Sequence, residues 1–222
     1  MKTKLIIISL ALLALRIPCY SQDFEVLGSY FTGNQPECKS LYGAGVSMYF
    51  EMKNQDELAF EFNYQSGKST YDLYSDDLFP LHYQTDASKL GFRISYNFNF
   101  LNHQKINFII GPEVNVYHLT INNKLNTMAI PDHGADSGNM IQVADTFSYG
   151  KTGFGFGLNA NFEYRPFKNS IYSFTGKVNP AIVTWALFNK CEPWLLKYMI
   201  IEAGLRISLD KMYENSVQRH SK

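Results

Sequence analysis

Residues 90–100 read Leu-Gly-Phe-Arg-Ile-Ser-Tyr-Asn-Phe-Asn-Phe, and this alternation decides the fold. Leu90, Phe92, Ile94, Tyr96, Phe98 and Phe100 fall on one parity; Gly91, Arg93, Ser95, Asn97 and Asn99 fall on the other. Successive side chains of a β-strand point to opposite faces of the sheet. The stretch therefore reads as a strand with one greasy face and one wet face. The pattern recurs along the chain, at a length that suits a bilayer.

Outward from this strand, period-two alternation predicts eight strands in all. The first two are Phe24–Phe31 and Leu41–Glu51; the third is Glu57–Gln65, and the fourth, containing the opening stretch, is Ser88–Leu101. Lys105–Ile121, Thr152–Arg165, Ser170–Trp185 and Lys197–Leu209 follow. No helical period of comparable length appears. Gly, Asn and Asp clusters separate the runs.

Connection lengths alternate. Short turns fall at residues 52–56, 102–104 and 166–169, while Thr32–Ser40, Ser66–Ala87, Asn122–Lys151 and Ala186–Leu196 read as long polar loops. Short turns at one end and long loops at the other describe a transmembrane barrel with periplasmic turns and extracellular loops. Both termini then lie at the short-turn end.

The N-terminus carries an export pattern. Lys2 and Lys4 precede the apolar run Leu5–Leu15, and Pro18–Gln22 supplies a breaker with small residues. A bilayer-spanning helix needs about 20 residues, so this run is too short and reads as a signal peptide. Cys19 follows a poor lipobox and is expected to leave with the signal. The expected organisation is a signal over residues 1–21, a barrel over 22–209 and a polar periplasmic tail over 210–222. No later segment is apolar enough for a transmembrane helix; Trp194–Leu209 is interrupted by Lys197, Glu202 and Arg206.

Formal net charge is zero, which argues against a nucleic-acid partner. Charged residues make up 18% of the chain, against 17 Phe and 15 Tyr. Few charges and many aromatics fit a surface that meets lipid.

The polar face separates a membrane barrel from its main competitor, a secreted calycin-type lipid carrier. That face holds Glu25, Glu61, Arg93, Glu113, Glu163, Arg165, Lys177, Glu202 and Arg206 among Gly, Ser and Asn. A water-facing surface carries more Lys and Glu and fewer Gly. An eight-stranded barrel has an interior just wide enough for side chains to fill, and buried ions must be paired there. These nine residues are accordingly the expected interior charge network. The apolar face ends in aromatics: Phe50, Phe98, Phe100, Phe162 and Tyr164 toward the turns, and Tyr30, Tyr42, Tyr64, Trp185 and Tyr198 toward the loops. They read as two interfacial girdles.

The final strand matches an assembly signal of outer-membrane barrels through Glu202, Gly204, Ile207 and Leu209, with aliphatic residues where aromatics are usual. With these features together, the chain resembles the small outer-membrane β-barrel (porin-like) family of the OmpA/OmpX type. The resemblance is one of architecture and includes no catalytic motif. It implies an all-β, eight-stranded antiparallel up-and-down transmembrane barrel in the outer membrane of a double-membraned bacterium. It also implies contact with outer-membrane lipids and insertion by the outer-membrane assembly machinery.

Cys38 and Cys191 fall in the first and last long loops, which are neighbours where the barrel closes. An exported chain permits a bridge between them; two separate thiols are the alternative. His118-Leu119-Thr120 places an imidazole and a hydroxyl on the lipid-facing parity, as a lipid-modifying enzyme would. A nucleophile needs a base in reach and an orienting third group, and no carboxylate is placed for that role. His133 with Asp132 and Asp136 lacks a recognised metal-ligand spacing. Gly153-Phe154-Gly155-Phe156-Gly157 precedes no helix that could receive a phosphate.

The expectation is a monomeric, non-enzymatic barrel without cofactor or metal. Its role would be structural, surface-interacting through the long loops with an envelope or extracellular partner, or porin-like for small solutes. A lipid A deacylase- or acyltransferase-like enzyme and a secreted lipid-binding barrel are the alternatives.

Overall fold

The computed structural model describes residues 21–35, 38–52, 55–74, 80–103, 105–125, 128–131, 140–143, 146–167, 170–184 and 195–213. Nearly all of residues 1–21, the expected signal, the tail beyond residue 213, and Trp185, Cys191, Asp132, His133 and Asp136 lie outside them.

Eight long strands form the wall: β1 (Ser21–Gly33), β2 (Ser40–Glu51), β3 (Glu57–Tyr74), β4 (Pro80–Asn102), β5 (Ile106–Leu125), β8 (Thr146–Tyr164), β9 (Tyr172–Thr184) and β10 (Leu195–Ser208). Two short strands, β6 (Met128–Pro131) and β7 (Met140–Val143), pair as a separate hairpin inside the segment expected to be the third long loop. The wall closes in the order β1-β10-β9-β8-β5-β4-β3-β2, and every neighbouring pair is antiparallel. Closure leaves the wall without a free sheet edge, which is the condition for β-structure in hydrocarbon.

The wall faces as the alternation requires. On β4, Phe92, Ile94, Tyr96 and Phe98 point outward, while Gly91, Arg93, Ser95 and Asn97 are buried inside. Phe156 is 63% exposed and Phe174 57%, within a belt that also includes Phe62, Phe98, Phe162 and Ile182. An apolar belt of this extent is foreign to a soluble monomer and is what a bilayer covers.

Four strands run further than the sequence reading placed them. β3 continues to Tyr74 and β4 starts at Pro80, so most of the expected loop Ser66–Ala87 is a strand hairpin. β5 and β8 likewise pair up to Lys124 and Thr146. The cause is a change of the outward face from apolar to polar. On β5, Val114 and Val116 face outward, but beyond them His118, Asn122 and Lys124 take the outward parity while Leu119, Ile121 and Leu125 are buried. Past the bilayer the outward face meets water, and the inward face gains Leu119, Ile121 and Leu125 beside the buried Thr85 and Asn123. The greasy outward stripe that marks a strand in the bilayer ends there, although the strands continue.

Two girdle expectations are corrected. Tyr198 has the inward parity of β10; it is buried and stacks on Phe31 with ring centroids 5.2 Å apart. Phe50 is buried as well, edge-on to Phe60 at 5.8 Å. Trp185 lies outside the described residues.

The turn after β2 is tight: Met52 N–H donates to Asp56 O at 2.8 Å, Gln55 N–H donates to Met52 O at 3.0 Å, and Gln55 takes a φ of 66°. The β4–β5 and β8–β9 ladders skip the rungs at Pro112 and Pro180, which have no N–H to donate. Beside the first of these gaps, a Cβ on Gly111 would stand 1.9 Å from the carbonyl oxygen of Tyr96. Gly111→Ala is therefore expected to cost about 1–3 kcal/mol, the usual cost of overpacking, read as a lower urea midpoint for the barrel in detergent. Gly176, whose added Cβ meets nothing within 4 Å, is the control: Gly176→Ala leaves that midpoint in place.

Candidate functional site

The interior is the place where this chain concentrates chemistry, and it divides into three levels. At the periplasmic end, Arg206 on β10 donates from Nε to Asp23 at 2.7 Å and from both terminal nitrogens to Glu57 at 3.1 and 2.6 Å. Its guanidinium lies 4.1 Å from the centroid of the Tyr49 ring, a cation–π distance. Glu163 stands 3.8 Å from Arg206 and accepts from Arg165 at 2.8 and 3.3 Å and from Asn107 at 3.1 Å. The Arg165 side chain remains 30% exposed, so it sits at the rim.

At mid-height, Lys177 pairs with Glu25 at 2.5 Å and with Glu61 at 3.4 Å. Tyr49 and Thr175 hydroxyls also donate to Glu25. Arg93 donates from one nitrogen, Nη2, to both Glu61 and Glu202. Ser47 and Asn63 complete Glu61 at 3.1 and 3.2 Å, and Asn179 donates to Glu202 at 2.9 Å. Glu113 stands apart, 3.8 Å from Arg93 Nη1. Each of these ions is almost wholly withdrawn from solvent, where breaking a pair costs far more than the pair contributes in water.

At the outer end, Lys89 has no carboxylate within ion-pair distance among the described residues. It donates to Gln65 Oε1 at 2.7 Å, and Gln65 donates on to Ser29 at 2.9 Å. The ammonium lies 4.3, 4.9 and 5.6 Å from the ring centroids of Tyr117, Phe31 and Tyr198. Above it an apolar cluster including Phe31, Leu41, Leu119, Ile121 and Ile200 fills the section. Cys38 is buried within that cluster; its expected partner Cys191 is outside the described residues.

All nine expected interior charges thus face the lumen, eight buried and Arg165 at the rim. The sequence reading left out Asp23, Glu57 and Lys89, and the ring of Tyr49. Each was legible by parity, since Asp23 lies two residues before Glu25, and Glu57 and Lys89 lie four before Glu61 and Arg93. Of the assembly-signal residues, Glu202, Gly204 and Ile207 belong to β10, and Leu209 follows the strand's last residue at the start of a helical turn over 209–213.

On the outward side of the wall, His118 Nδ1 and Thr152 Oγ1 are 2.9 Å apart, and among the described residues no carboxylate bonds to His118. Thr152, and not Thr120, is the hydroxyl partner. The described residues contain no group of three or more His, Cys, Asp or Glu arranged to hold a metal; the His133 segment falls outside them.

A closed antiparallel ring of eight strands, apolar outside and charged inside, defines the class: an eight-stranded transmembrane β-barrel of the outer-membrane type. Solved structures have the same architecture. Neisserial surface protein A is similar with a TM-score of 0.50 at 10% identity, over 84% of this chain and 96% of that one. A major outer membrane protein from Thermus thermophilus has a TM-score of 0.49 at 11% identity, over 85% of this chain and 100% of that one. Ail, the attachment invasion locus protein of Yersinia pestis, solved with the heparin analogue sucrose octasulfate, has a TM-score of 0.43 at 13% identity, over 84% and 97%. At such identities the likeness concerns fold alone. No protein-family model matches the sequence, and no curated protein is similar to it.

Proposed function

We propose that this chain is a sealed, non-enzymatic outer-membrane barrel whose task is carried at its extracellular end. The observation that carries this reading is the filled lumen. Ion pairs occupy its lower and middle levels, Lys89 and three aromatic rings follow, and an apolar cluster closes the outer section. A solute passing through would have to displace paired buried ions and a packed apolar layer in succession. Against an enzyme stands the outward-facing His118–Thr152 pair, in which no carboxylate among the described residues bonds to the imidazole as an orienting third group.

Surface interaction is favoured over a purely structural role by the projecting strands. β3, β4, β5 and β8 have 18, 23, 20 and 19 residues, against 13, 12, 13 and 14 for β1, β2, β9 and β10. A bilayer needs only about 9–11 residues per strand, so these four stand well clear of it. Their outward face there is polar: Lys68, Thr70, Asp72, Gln84, Asp86, Asn122 and Lys124. We read the barrel as a monomer held by outer-membrane lipids after insertion by the assembly machinery, with its extracellular partner reached through this projection.

The full-length chain, refolded and added to a planar bilayer, is expected to give no unit conductance at either polarity. A stable open level would overturn the sealed reading and restore the porin-like one.

A further inference from the structure

Seven carboxylates and four basic side chains are buried among the described residues. Even with Arg165 counted at the rim, acids exceed bases in a space where an uncompensated ion is costly. Six of these carboxylates accept at least one hydrogen bond from a neighbouring side chain. Glu113 differs. It is 3% exposed, its Oε1 has no hydrogen-bond partner, and Oε2 lies 3.8 Å from Arg93 Nη1, beyond hydrogen-bond reach.

Glu113 borders a cavity of about 10 Å³ whose lining also includes Glu61, Arg93, Ser95, Asn159 and Lys177. That is about the least volume that holds one water molecule, which also needs two to four polar partners. The partners are at hand: Arg93 Nη1 is a donor without an acceptor, and Asn159 Oδ1 and Glu113 Oε1 are acceptors without donors. The guanidinium does not supply Glu113 directly: Nη2 donates to Glu61 and Glu202, and Nη1 stands 3.8 Å from Glu113 Oε2, too far for a hydrogen bond.

We propose that Glu113 carries a proton in the folded barrel and, with the adjoining cavity, forms a site for one proton and one water molecule. The acid O–H donates to the water, the water donates to Asn159 Oδ1, and it accepts from Arg93 Nη1. The ionised groups facing Glu113 are Glu61 from β3, Arg93 and Lys89 from β4, Lys177 from β9 and Glu202 from β10, with the Tyr198 phenol beside them. β8 presents only the neutral Asn159, and β2 the Tyr49 phenol. A third carboxylate charge at this point would add to Glu61 and Glu202 around a guanidinium they already share. The proton removes that charge and turns an acceptor without a donor into a donor. The inference rests on the interior geometry and is independent of whether the barrel conducts.

Infrared spectroscopy of the full-length protein in detergent tests it. At neutral pH the wild type is expected to show the carbonyl band of a protonated carboxylic acid, shifted in heavy water, and Glu113→Gln is expected to lack it. A wild-type spectrum without that band, or a band that persists unchanged in Glu113→Gln, overturns the proposal. The wild-type spectrum decides even if the variant refolds poorly.

Thermal unfolding supplies a second readout. A proton held by the folded state and released on unfolding stabilises the fold fully below the ordinary glutamate value of about 4.3, and this contribution is lost as pH rises. The wild-type midpoint should fall, as pH rises above the ordinary glutamate value, more steeply than that of Glu113→Gln. Parallel curves would contradict the proposal, since the two proteins share every other titrating group.

Discussion

Arg93→Met is expected to cost the barrel about 3–5 kcal/mol, the penalty for removing one partner of a buried ion pair. The substitution keeps an unbranched apolar stem of comparable reach, so the loss is read from charge and not from a large cavity. Arg93 is 1% exposed and donates to Glu61 and Glu202, which stand on opposite sides of it in chain order, on β3 and β10. Without it two ionised carboxylates remain buried, and of the bases among the described residues only Lys177, 3.4 Å from Glu61, lies within ion-pair distance of either. The measurement is a urea titration of the refolded protein in detergent, followed by the mobility difference between folded and unfolded barrel on a gel. The triple variant Arg93→Met, Glu61→Gln, Glu202→Gln should recover much of the loss, because replacing a whole buried ion cluster by neutral groups is often close to neutral. An Arg93→Met midpoint equal to that of the wild type would mean that the charges do not hold the wall together.

Leu158→Arg is the second large effect, at about 2–4 kcal/mol, the cost of a cation on the lipid face near mid-bilayer. Leu158 is 52% exposed and occupies the middle of the outward series Phe154, Phe156, Leu158, Ala160, Phe162 and Tyr164 on β8. In a water-soluble barrel of the same shape, an arginine at so exposed a position would be harmless. Depth makes the test sharper. Tyr164→Arg, at the turn end of the same series, should cost only about 0–1 kcal/mol. The comparison is made by equilibrium unfolding from lipid vesicles. Equal effects at the two positions would remove the bilayer from the account of this surface.

Much of this architecture was legible in the chain. Alternation depends only on the geometry of an extended backbone, so Phe92, Ile94 and Tyr96 could be assigned to one side and Arg93 and Ser95 to the other without a structure. Parity also located the nine interior charges, and strict use of it would have added Asp23, Glu57 and Lys89. The same rule would have moved Tyr198 from the girdle to the interior, because it shares its parity with Glu202 and Arg206. Its aromatic character outweighed its register in the reading, and the register was the better guide.

The projecting strands were missed for a different reason. Ser66–Ala87 is polar and reads as a loop because the greasy outward stripe ends there. Where the wall leaves the bilayer, its environment changes sides: water outside and packed side chains inside. Thr85, Ile121 and Asn123 become buried while Gln84, Asn122 and Lys124 face out. A search for one constant phase cannot follow a strand across that boundary.

By itself the sequence determined that the chain alternates, that its greasy face is bulky and rich in aromatics, and that its polar face carries nearly balanced charge. These are properties of one strand at a time, set by composition and the two-residue period. The tertiary structure alone decided the partners: Arg93 with Glu61 and Glu202, Arg206 with Asp23 and Glu57, Lys89 with three rings, and Glu113 with no hydrogen-bonded donor. Those meetings join residues as far apart in sequence as Asp23 and Arg206, and they depend on the register and closure of the ring. Parity tells which residues point inward; only closure sets the height at which they meet.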